Sequence, residues 1–329
     1  MPRIDMDALE DEWEDDGARP VRRGRELSPA AKARIDELEV ARVVAVDRGR
    51  ITVVYGGDIV EASLAGTMRG TKAVVGDRVR VRAPRHEQDQ PRIVEVMPRE
   101  TVLTRTGDDL VEEERTLVAN ADQIVVVLAA DHPEAGVRFL DRVMVAASVG
   151  GLDTAICVNR IDLVDDRTTV RALLERYEPL DVDWRITSAE TREGIEELRE
   201  LLTGVWSAFT GHSGVGKSSL FNLLVPDAQR EVGEIGRRGG RHTTTSSIAM
   251  HVPSIDAWLV DTPGVRSFGL GALAPRDLAA HFPELAALHC RLDDCIHDGE
   301  PGCALTEADI HPERLASYRR LLASLRGGD

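Results

Sequence analysis

The chain is poor in aromatic residues and has no long apolar run. Phenylalanine, tryptophan and tyrosine together make up 4% of its 329 residues. No stretch approaches the ~18 consecutive apolar residues that a membrane-spanning helix requires, and no apolar segment follows the charged N-terminal residues as it would in a secretory signal peptide. These absences argue against a membrane protein or a secreted one, and we expect a soluble, cytoplasmic protein.

Cysteine is also scarce, which argues against a disulfide framework as the basis of the fold. Three of the four cysteines fall within fourteen residues, beside a histidine. Three thiolates and one imidazole form a closed tetrahedral ligand set for Zn²⁺, with no vacancy for a catalytic water. We therefore predict one structural zinc ion, against the alternative of unrelated cytosolic thiols, at Cys290, Cys295, His297 and Cys303.

Basic residues are outnumbered, and the formal net charge is −16. The first 30 residues hold nine acidic side chains against five arginines, whereas residues 41–106 hold twelve basic side chains against eight acidic ones. The first segment is typical of a solvated tail, and we predict disorder over residues 1–38. The second segment is net +4 inside an acidic protein, so the low isoelectric point does not exclude a nucleic-acid partner.

Residues 39–106 carry short alternating runs that indicate about five strands separated by glycines. Five strands in so short a segment suit a closed Greek-key barrel of the OB type. Arg78, Arg80 and Arg82 alternate along one predicted strand and so share a face, with Arg85 close behind, which favours contact with a phosphate backbone. Tyr55 is the only aromatic residue of residues 41–106, so we expect recognition by shape and charge with little base stacking. A purely structural barrel is the alternative.

Residues 107–275 change to an alternating strand and helix pattern. Runs such as residues 123–130 and 153–158 are continuously apolar, as in a parallel sheet buried on both faces. Helical periodicity between them predicts a doubly wound α/β domain, whose ligands lie at the carboxyl ends of the strands. Residues 276–329 would form a helical zinc-binding module that ends in an amphipathic helix over residues 312–325.

A phosphate-binding loop follows a predicted strand at residues 205–210 and precedes a predicted helix at residues 218–224. Its glycines let backbone N–H groups converge on phosphate oxygens, at a helix N-terminus of positive potential. Lys217 would reach the β and γ phosphates, and Ser218 would ligate Mg²⁺. The loop consists of Gly211, His212, Ser213, Gly214, Val215, Gly216, Lys217 and Ser218.

A second predicted magnesium-binding element begins 43 residues after Ser218. There an apolar strand ends in Asp261-Thr262-Pro263-Gly264. Asp261 would meet Mg²⁺ through water and the Gly264 N–H would sense the γ phosphate; an acidic turn without that role is the alternative. Between the two motifs, a glycine- and arginine-rich loop leads to three threonines, one of which would close onto Mg²⁺ when γ phosphate is present. The sequence does not distinguish between them, and Thr244 is the candidate taken from Thr243, Thr244 and Thr245.

Base specificity is predicted at residues 159–162, which read Asn-Arg-Ile-Asp. The Asp162 carboxylate can accept hydrogen bonds from the N1–H and 2-amino groups of guanine, which adenine lacks, and the Asn159 amide can contact the N7/O6 edge. Arg160 stands where such motifs usually carry a lysine whose stem packs on the base, and arginine is bulkier. Thr187-Ser188-Ala189 follows the next predicted strand, and its N–H groups would approach guanine O6.

The residue that orients water in Ras-like enzymes is missing, since Val265 stands where they carry glutamine. We therefore expect slow intrinsic hydrolysis. His242, which ends the glycine- and arginine-rich loop, is the best substitute within the chain, with loop anchoring as the alternative role. Lys217 and Thr244 complete the candidate catalytic set. Gly214 stands where potassium-activated GTPases tend to carry asparagine, so that residue does not support potassium dependence.

The order of these motifs is inverted relative to ordinary small GTPases. The base-reading residues stand 52 residues ahead of the phosphate loop, and the switch elements come last. A circular permutation of the domain would produce this order.

With these motifs the sequence resembles one family over about residues 39–327. This is the ribosome small subunit-dependent GTPase A (RsgA) family, circularly permuted bacterial GTPases with an N-terminal OB barrel and a C-terminal zinc module. The likeness rests on the motif order, the phosphate loop extended through Ser219 and Leu220, the threonines after His242, residues 261–269 and the Cys-Cys-His-Cys spacing. Arg160 and the long acidic tail depart from it.

The resemblance implies a GTPase that binds GTP or GDP with Mg²⁺, with Ser219 among the nucleotide-binding residues. It also implies late maturation of the 30S ribosomal subunit, contact with 16S rRNA near the decoding region, hydrolysis stimulated by the subunit, and release afterwards. We expect no membrane partner, and a monomer. Two alternatives stay open: a GTP-dependent switch that acts on a non-ribosomal protein through the zinc module, and a nucleic-acid-binding protein whose nucleotide site no longer turns over.

Overall fold

The structure is a computed structural model that describes residues 29–47, 49–68, 70–84, 86, 89–105, 115–225, 247–262, 268–270, 273–292 and 294–327. Several predicted features lie outside these residues: most of the acidic tail, the glycine- and arginine-rich loop, Arg85, His242, Thr243, Thr244, Thr245, Gly264 and Val265. The chain divides into two compact units between Arg99 and Glu100.

The first unit is a closed five-stranded barrel, preceded by helix α1 (Pro29–Asp36). Its strands pair in the order β1-β2-β3-β5-β4, and β4 closes the barrel by pairing with β1. The predicted OB-type barrel is confirmed, whereas α1 occupies residues that the sequence placed in a disordered tail. The strands are β1 (Glu39–Asp47), β2 (Arg50–Tyr55), β3 (Asp58–Leu64), β4 (Arg78–Arg82) and β5 (Arg92–Val96).

Side chains alternate between the two faces of β4. Val79 and Val81 are buried in the small aliphatic core of the barrel. Because neighbouring side chains of a strand point to opposite faces, Arg78, Arg80 and Arg82 share the outer face, as the alternation predicted.

The second unit begins with a hairpin that the sequence did not predict, formed by β6 (Val102–Arg105) and β7 (Arg115–Ala119). The predicted barrel segment ran to residue 106, but β6 pairs with β7 and so belongs to the second unit. The hairpin lies close to the end of helix α2 (Val137–Gly150), because a Cβ on Gly150 would fall 1.9 Å from the Val102 carbonyl oxygen.

A six-stranded sheet in the order β10-β9-β8-β11-β13-β12 forms the centre of the second unit. The first five strands of this order are parallel and β12 is antiparallel to β13. β8 is almost completely buried, as its unbroken apolar run predicted. The strands are β8 (Gln123–Ala129), β9 (Asp153–Asn159), β10 (Asp183–Ile186), β11 (Trp206–Gly211), β12 (Ile248–Val252) and β13 (Ala257–Asp261).

Helices connect and cover these strands, as expected of a doubly wound domain. The helices after α2 are α3 (Thr168–Glu175), α4 (Ile195–Leu202) and α5 (Lys217–Leu224). Leu198 and Leu202 of α4 and Leu220 and Leu224 of α5 pack into one core with Phe209 of β11.

The C-terminal part of the second unit contains a 3-10 helix (Pro275–His281) and the helices α6 (Pro283–Ala286) and α7 (Pro312–Leu325). Tyr318 of α7 is fully buried and packs edge-on against Phe282 at 5.3 Å between ring centroids. Among the residues that the structure describes, no helix has both the length and the apolar character needed to cross a membrane.

Candidate nucleotide and zinc sites

The predicted nucleotide-binding residues meet at one edge of the sheet. Asn159 ends β9, Gly211 ends β11, Asp261 ends β13, and residues 187–189 follow β10. Because these strands belong to one parallel set, their carboxyl ends lie at the same edge. Motifs that stand 52 residues apart in the sequence are therefore neighbours in the fold.

The phosphate loop connects β11 to α5, with Gly216 as the N-cap of the helix. Gly216 has φ = +89°, a backbone conformation that residues with a side chain rarely adopt. A Cβ at this position would also lie 2.2 Å from Asn159 Nδ2. Glycine is therefore required here both for the backbone angle and for the close approach of the base-reading segment.

Asn159 joins the phosphate loop to the two base-reading segments. Its buried amide donates from Nδ2 to the Val215 carbonyl oxygen at 3.0 Å. Its Oδ1 accepts from the Thr187 hydroxyl at 3.2 Å and from the Ala189 N–H at 3.1 Å. The sequence assigned this amide to the guanine edge, but the structure uses its oxygen and one N–H within the protein, so the second N–H is what remains for a base.

Asp162 is exposed at the start of the loop after β9, and Ser188 fixes its carboxylate. The Ser188 hydroxyl donates to Asp162 Oδ1 at 2.5 Å and accepts from the Thr191 N–H at 3.0 Å. One carboxylate oxygen is thus held in place while the other can accept from a ligand.

Arg160 reaches from the base-reading segment to the phosphate loop. Its backbone is left-handed, with φ = +69°. Its Nη1 donates to the Gly214 carbonyl oxygen at 3.1 Å and lies 3.5 Å from Asp131 Oδ2. The head group of this unusual arginine therefore contacts the loop that would hold the phosphates.

The side chain of Lys217 extends from the phosphate loop to the end of β13. Its Nζ is 3.4 Å from Asp261 Oδ1 and 3.5 Å from the Thr262 carbonyl oxygen. Ser218 is exposed in the first turn of α5. Ser218 and Asp261 offer a hydroxyl and a carboxylate, the oxygen ligands that Mg²⁺ prefers, so the donor chemistry of the residues present fits a nucleotide-bound Mg²⁺.

His212 of the phosphate loop packs against α2, with 4.7 Å between its ring centroid and that of Phe139. Phe139 also lies 5.8 Å from the ring of Phe268, which follows Asp261-Thr262-Pro263-Gly264 in the sequence. His242, Thr244 and Gly264 lie outside the described residues, so their assigned roles stay predictions.

The four predicted zinc ligands converge, with all donor atoms within 4.8 Å of one another. His297 Nδ1 is 3.5, 3.8 and 3.4 Å from the sulfurs of Cys290, Cys295 and Cys303, and Cys290 Sγ is 3.8 Å from Cys303 Sγ. A tetrahedral zinc ion with Zn–S bonds of about 2.3 Å and Zn–N bonds of about 2.0 Å separates its ligand atoms by roughly 3.5–3.8 Å. Four of the six distances between donor atoms match this spacing, and the donor set fits Zn²⁺.

Glu300 organises the loop that carries these ligands. Its carboxylate accepts the N–H groups of Ile296 at 3.0 Å and Asp298 at 2.8 Å, the residues on either side of His297. His297 itself has φ = +57°. The two hydrogen bonds thus fix the turn in which the imidazole faces the sulfurs.

Hydrogen bonding and burial act in opposite directions on two of the cysteines. The Ala304 N–H donates to Cys290 Sγ at 3.2 Å and lowers the pKa of that thiol. Burial raises the pKa of Cys295 to about 12. A bound cation would therefore be needed to keep Cys295 as a thiolate at neutral pH.

Sequence reasoning missed Asp131 and Glu300, which support the two sites. Asp131 follows an apolar strand at the ligand edge of the sheet, and that position was a usable signal. The contacts of Glu300 had no such signal, because they depend on the conformation of the turn that contains it.

A family model described as RsgA GTPase matches residues 96–271. The chain is 41% identical over 266 residues to the small ribosomal subunit biogenesis GTPase RsgA of Ectopseudomonas mendocina, covering 78% of this chain and 76% of that protein. It is 37% identical over 308 residues to a protein of the same name from Pseudomonas aeruginosa, covering 88% of this chain and 89% of that one.

Two solved structures share the fold. The crystal structure of YjeQ from Thermotoga maritima superposes with a TM-score of 0.71 at 30% identity, covering 88% of this chain and 99% of that one. The crystal structure of YloQ, described as a circularly permuted GTPase, superposes with a TM-score of 0.68 at 21% identity, covering 88% of this chain and 96% of that one. The chain with the inverted motif order therefore shares its fold with a solved structure described as a circularly permuted GTPase.

Proposed function

Because the chain belongs to the RsgA GTPase family and is therefore a GTP hydrolase, we propose that it serves the biogenesis of the small ribosomal subunit. In this role it binds the 30S subunit, assists its late maturation and hydrolyses GTP to GDP and phosphate under stimulation by the subunit. The names of its relatives at 37–41% identity support the role. The observation that carries it is the convergence of the base-reading, phosphate and magnesium-side residues at one edge of the sheet.

Guanine would bind beside Asp162 and residues 187–189. The Asp162 carboxylate would accept from the N1–H and 2-amino groups, while the Ser188 hydroxyl, bonded to Oδ1, keeps it oriented. Asn159 holds the phosphate loop and the Ala189 backbone in register, so the distance between the base pocket and the phosphate pocket is fixed before the nucleotide enters. Selection of GTP over ATP follows from the acceptor at Asp162.

Hydrolysis would rely on positive charge placed around the β and γ phosphates. Lys217 leaves Asp261 and donates to phosphate oxygens, and the backbone N–H groups of residues 213–219 surround the same oxygens. Ser218, Thr244 and, through a water, Asp261 would hold Mg²⁺ beside the phosphates, where the ion would supply positive charge against the charge that develops on those oxygens. We propose that His242 orients the attacking water in place of the missing glutamine.

The C-terminal module would hold one structural zinc ion. Four protein donors would leave no coordination position for water or substrate, so the site would support the fold and take no part in the hydrolysis.

The outer face of β4 is the proposed contact with 16S rRNA. Arg42 lies directly opposite Arg78, and Arg82 lies directly opposite Arg92. Arg80, between them on this face, lies opposite Glu95, so positive charge is concentrated toward the two ends of the strand, where it would attract an anionic partner. The phosphate backbone of RNA supplies the negative charge without the need for aromatic stacking.

Co-sedimentation with isolated ribosomal subunits tests the partner. The chain loaded with a non-hydrolysable GTP analogue should pellet with 30S subunits and not with 50S subunits, and the GDP form should bind 30S less. Binding to neither subunit would contradict the proposal and favour a switch that acts on a non-ribosomal protein.

A further inference from the structure

A cavity of about 420 Å³ lies beside the phosphate loop. Its walls come from the end of β8 and the loop that follows, from Arg160, and from the outer side of residues 212–215. Asp131 and Arg160 are an oppositely charged pair in this lining, on the wall next to Gly214.

The carboxylate of Asp131 is partly buried and lies next to the guanidinium of Arg160. Its side chain is 24% exposed, and its Oδ2 lies 3.5 Å from Arg160 Nη1. Its Oδ1 is buried and has no hydrogen-bond partner within the described part of the chain. One carboxylate oxygen therefore faces the arginine, and the other is buried.

The same guanidinium nitrogen of Arg160 makes both contacts of this region. Nη1 donates to the Gly214 carbonyl oxygen at 3.1 Å and faces Asp131 Oδ2. Gly214 is followed by Val215, whose carbonyl oxygen accepts from Asn159. Two adjacent carbonyl groups of the phosphate loop are thus held by the base-reading segment, one by an amide and one by the arginine.

At this position the side chain of arginine needs a fixed orientation that the side chain of lysine does not need. An ammonium group offers three donors on a flexible stem and can meet a carbonyl from many directions, whereas the planar guanidinium must be oriented before its N–H groups align. A carboxylate beside the guanidinium supplies that orientation.

We propose that Asp131 is a positioning residue for nucleotide binding that allows Arg160 to take the place of lysine. Asp131 holds the guanidinium so that Nη1 fixes the Gly214 carbonyl and the aliphatic stem lies toward the base pocket. The inference rests on the proposed guanine-nucleotide site.

The test is a double-mutant cycle on the affinity for GDP, measured with a fluorescent GDP analogue in the full chain with Mg²⁺ and zinc present. The four proteins are wild type, Asp131→Asn, Arg160→Lys and the double variant. Both side chains are partly exposed, at 24% and 37%, so we expect Asp131→Asn alone to raise the Kd about fivefold. In the lysine background the same substitution should change the Kd by less than about twofold, because lysine does not need the carboxylate.

Glu134→Gln is the matched control, since Glu134 is on the same loop but pairs with Arg176 at 2.7 Å. It should leave the Kd unchanged, and the thermal unfolding midpoint of each variant shows whether it is folded. Equal or tighter GDP binding by Asp131→Asn would overturn the proposal, because the carboxylate would then act only by repelling phosphates. An equal loss in both backgrounds would overturn it too. A wild-type chain that binds GDP no better than ADP would overturn the proposed function itself, together with this inference.

Discussion

At the residue scale, the nucleotide site depends on contacts between segments that are far apart in the chain. Asn159 is bonded to Val215, Thr187 and Ala189, which lie 56, 28 and 30 residues away. The sequence predicted the chemistry of Asn159 from its motif, but its partners follow from the order of strands in the sheet. One side chain therefore connects all three nucleotide-binding segments.

Replacing this residue should affect all three segments together. Asn159→Ala would leave the buried Val215 carbonyl and the partly buried Ala189 N–H without this partner, and an unsatisfied buried group costs about 1–3 kcal/mol. We expect the Kd for GDP to rise by at least about tenfold and the thermal unfolding midpoint of the nucleotide-free chain to fall. Gln90→Ala, which removes an amide from the exposed surface of the barrel, is the control and should change neither quantity. Unchanged GDP affinity in Asn159→Ala would show that the hydrogen bonds of Asn159 have no role in nucleotide binding.

Two glycines of the phosphate loop form a natural comparison. Gly214 and Gly216 have nearly equal φ angles of +87° and +89°, so alanine at either position carries a similar backbone penalty of about 1–2 kcal/mol. An alanine Cβ meets nothing within 4 Å at Gly214 but lies 2.2 Å from the Asn159 amide at Gly216. Gly216→Ala should therefore weaken GDP binding at least about tenfold more than Gly214→Ala, as measured by titration. Equal losses would mean that backbone strain alone accounts for both.

At the element scale, α2 contacts three parts of the second unit within one turn. Phe139 packs on the ring of His212, and Arg142 Nε donates to the Phe268 carbonyl oxygen at 3.0 Å. Between them, Asp141 is 1% exposed and accepts hydrogen bonds from Arg314 and Ser317 of α7. The helix thus contacts the phosphate loop, Phe268 and the C-terminal helix α7.

The polar cluster around Asp141 is buried and internally paired. Burial opposes the charge of Arg314, but Asp141 and Glu284 outweigh it, and the pKa of the guanidinium is raised. Burial also raises the pKa of Tyr177 above its usual range, so its hydroxyl keeps the proton that it donates to Asp141 at 2.9 Å. Both partners therefore remain donors across the pH range in which the protein would be studied.

Asp141→Asn should destabilise the second unit, because Arg314 would stay charged and buried with Glu284 as its remaining acidic partner. Removal of one member of a buried ion pair costs about 3–5 kcal/mol of stability. Because Arg314 keeps its ion pair with Glu284, we expect a loss of about 3 kcal/mol, at the lower end of that range. Urea unfolding measures the change. Asp153→Asn, which alters an exposed carboxylate at the start of β9, serves as the control and should change the free energy of unfolding by less than about 0.5 kcal/mol. Similar stability of the two variants would mean that α7 is held by apolar packing alone.

The helices and central strands of the second unit could be predicted because their apolar periodicity is strong. β8 and α7 lie within one residue of their predicted bounds. The β6–β7 hairpin had no comparable pattern, since four- and five-residue strands separated by a charged segment resemble a linker. The buried Asp141 was equally hidden, because its partners Arg314 and Ser317 lie more than 170 residues away.

At the scale of the whole molecule, the Cys₃His cluster and the arginine face of the barrel are separate features, and each has its own test. The convergence of Cys290, Cys295, His297 and Cys303 could be predicted because their spacing is local, and the arginine face of β4 because strands alternate. The cross-strand neighbours Arg42 and Arg92 could not, because the register of β4 against β1 and β5 is set by the closed barrel.

Zinc content should follow the four predicted ligands. Wild-type protein is expected to contain one zinc ion per chain by elemental analysis, and Cys303→Ser should lose most of it and unfold at a lower temperature. Cys157→Ala is the matched control, since burial in β9 raises the pKa of Cys157 to about 11 and keeps it a neutral thiol away from the cluster. Zinc loss in Cys157→Ala, or full zinc content in Cys303→Ser, would contradict the assignment.

Removing the arginines of the barrel face should weaken binding to the 30S subunit and reduce its dependence on salt. Each lost phosphate contact lowers the slope of log affinity against log salt by about 0.7–0.9, so the triple variant Arg78→Ala, Arg80→Ala, Arg82→Ala should lower it by up to about 2–3. Arg171→Ala, an exposed arginine on α3 of the second unit, is the control for loss of positive charge. Unchanged affinity of the triple variant would place the RNA contact elsewhere.

The most direct test of the account is the rate of GTP hydrolysis by the purified chain alone, with 30S subunits, and with 50S subunits. We expect a slow basal rate, stimulation of at least about tenfold by 30S subunits, little change with 50S subunits, and no stimulated activity in Lys217→Ala. A rate that is the same with and without 30S subunits, or stimulation that persists in Lys217→Ala, would contradict a subunit-dependent GTPase built on this phosphate loop.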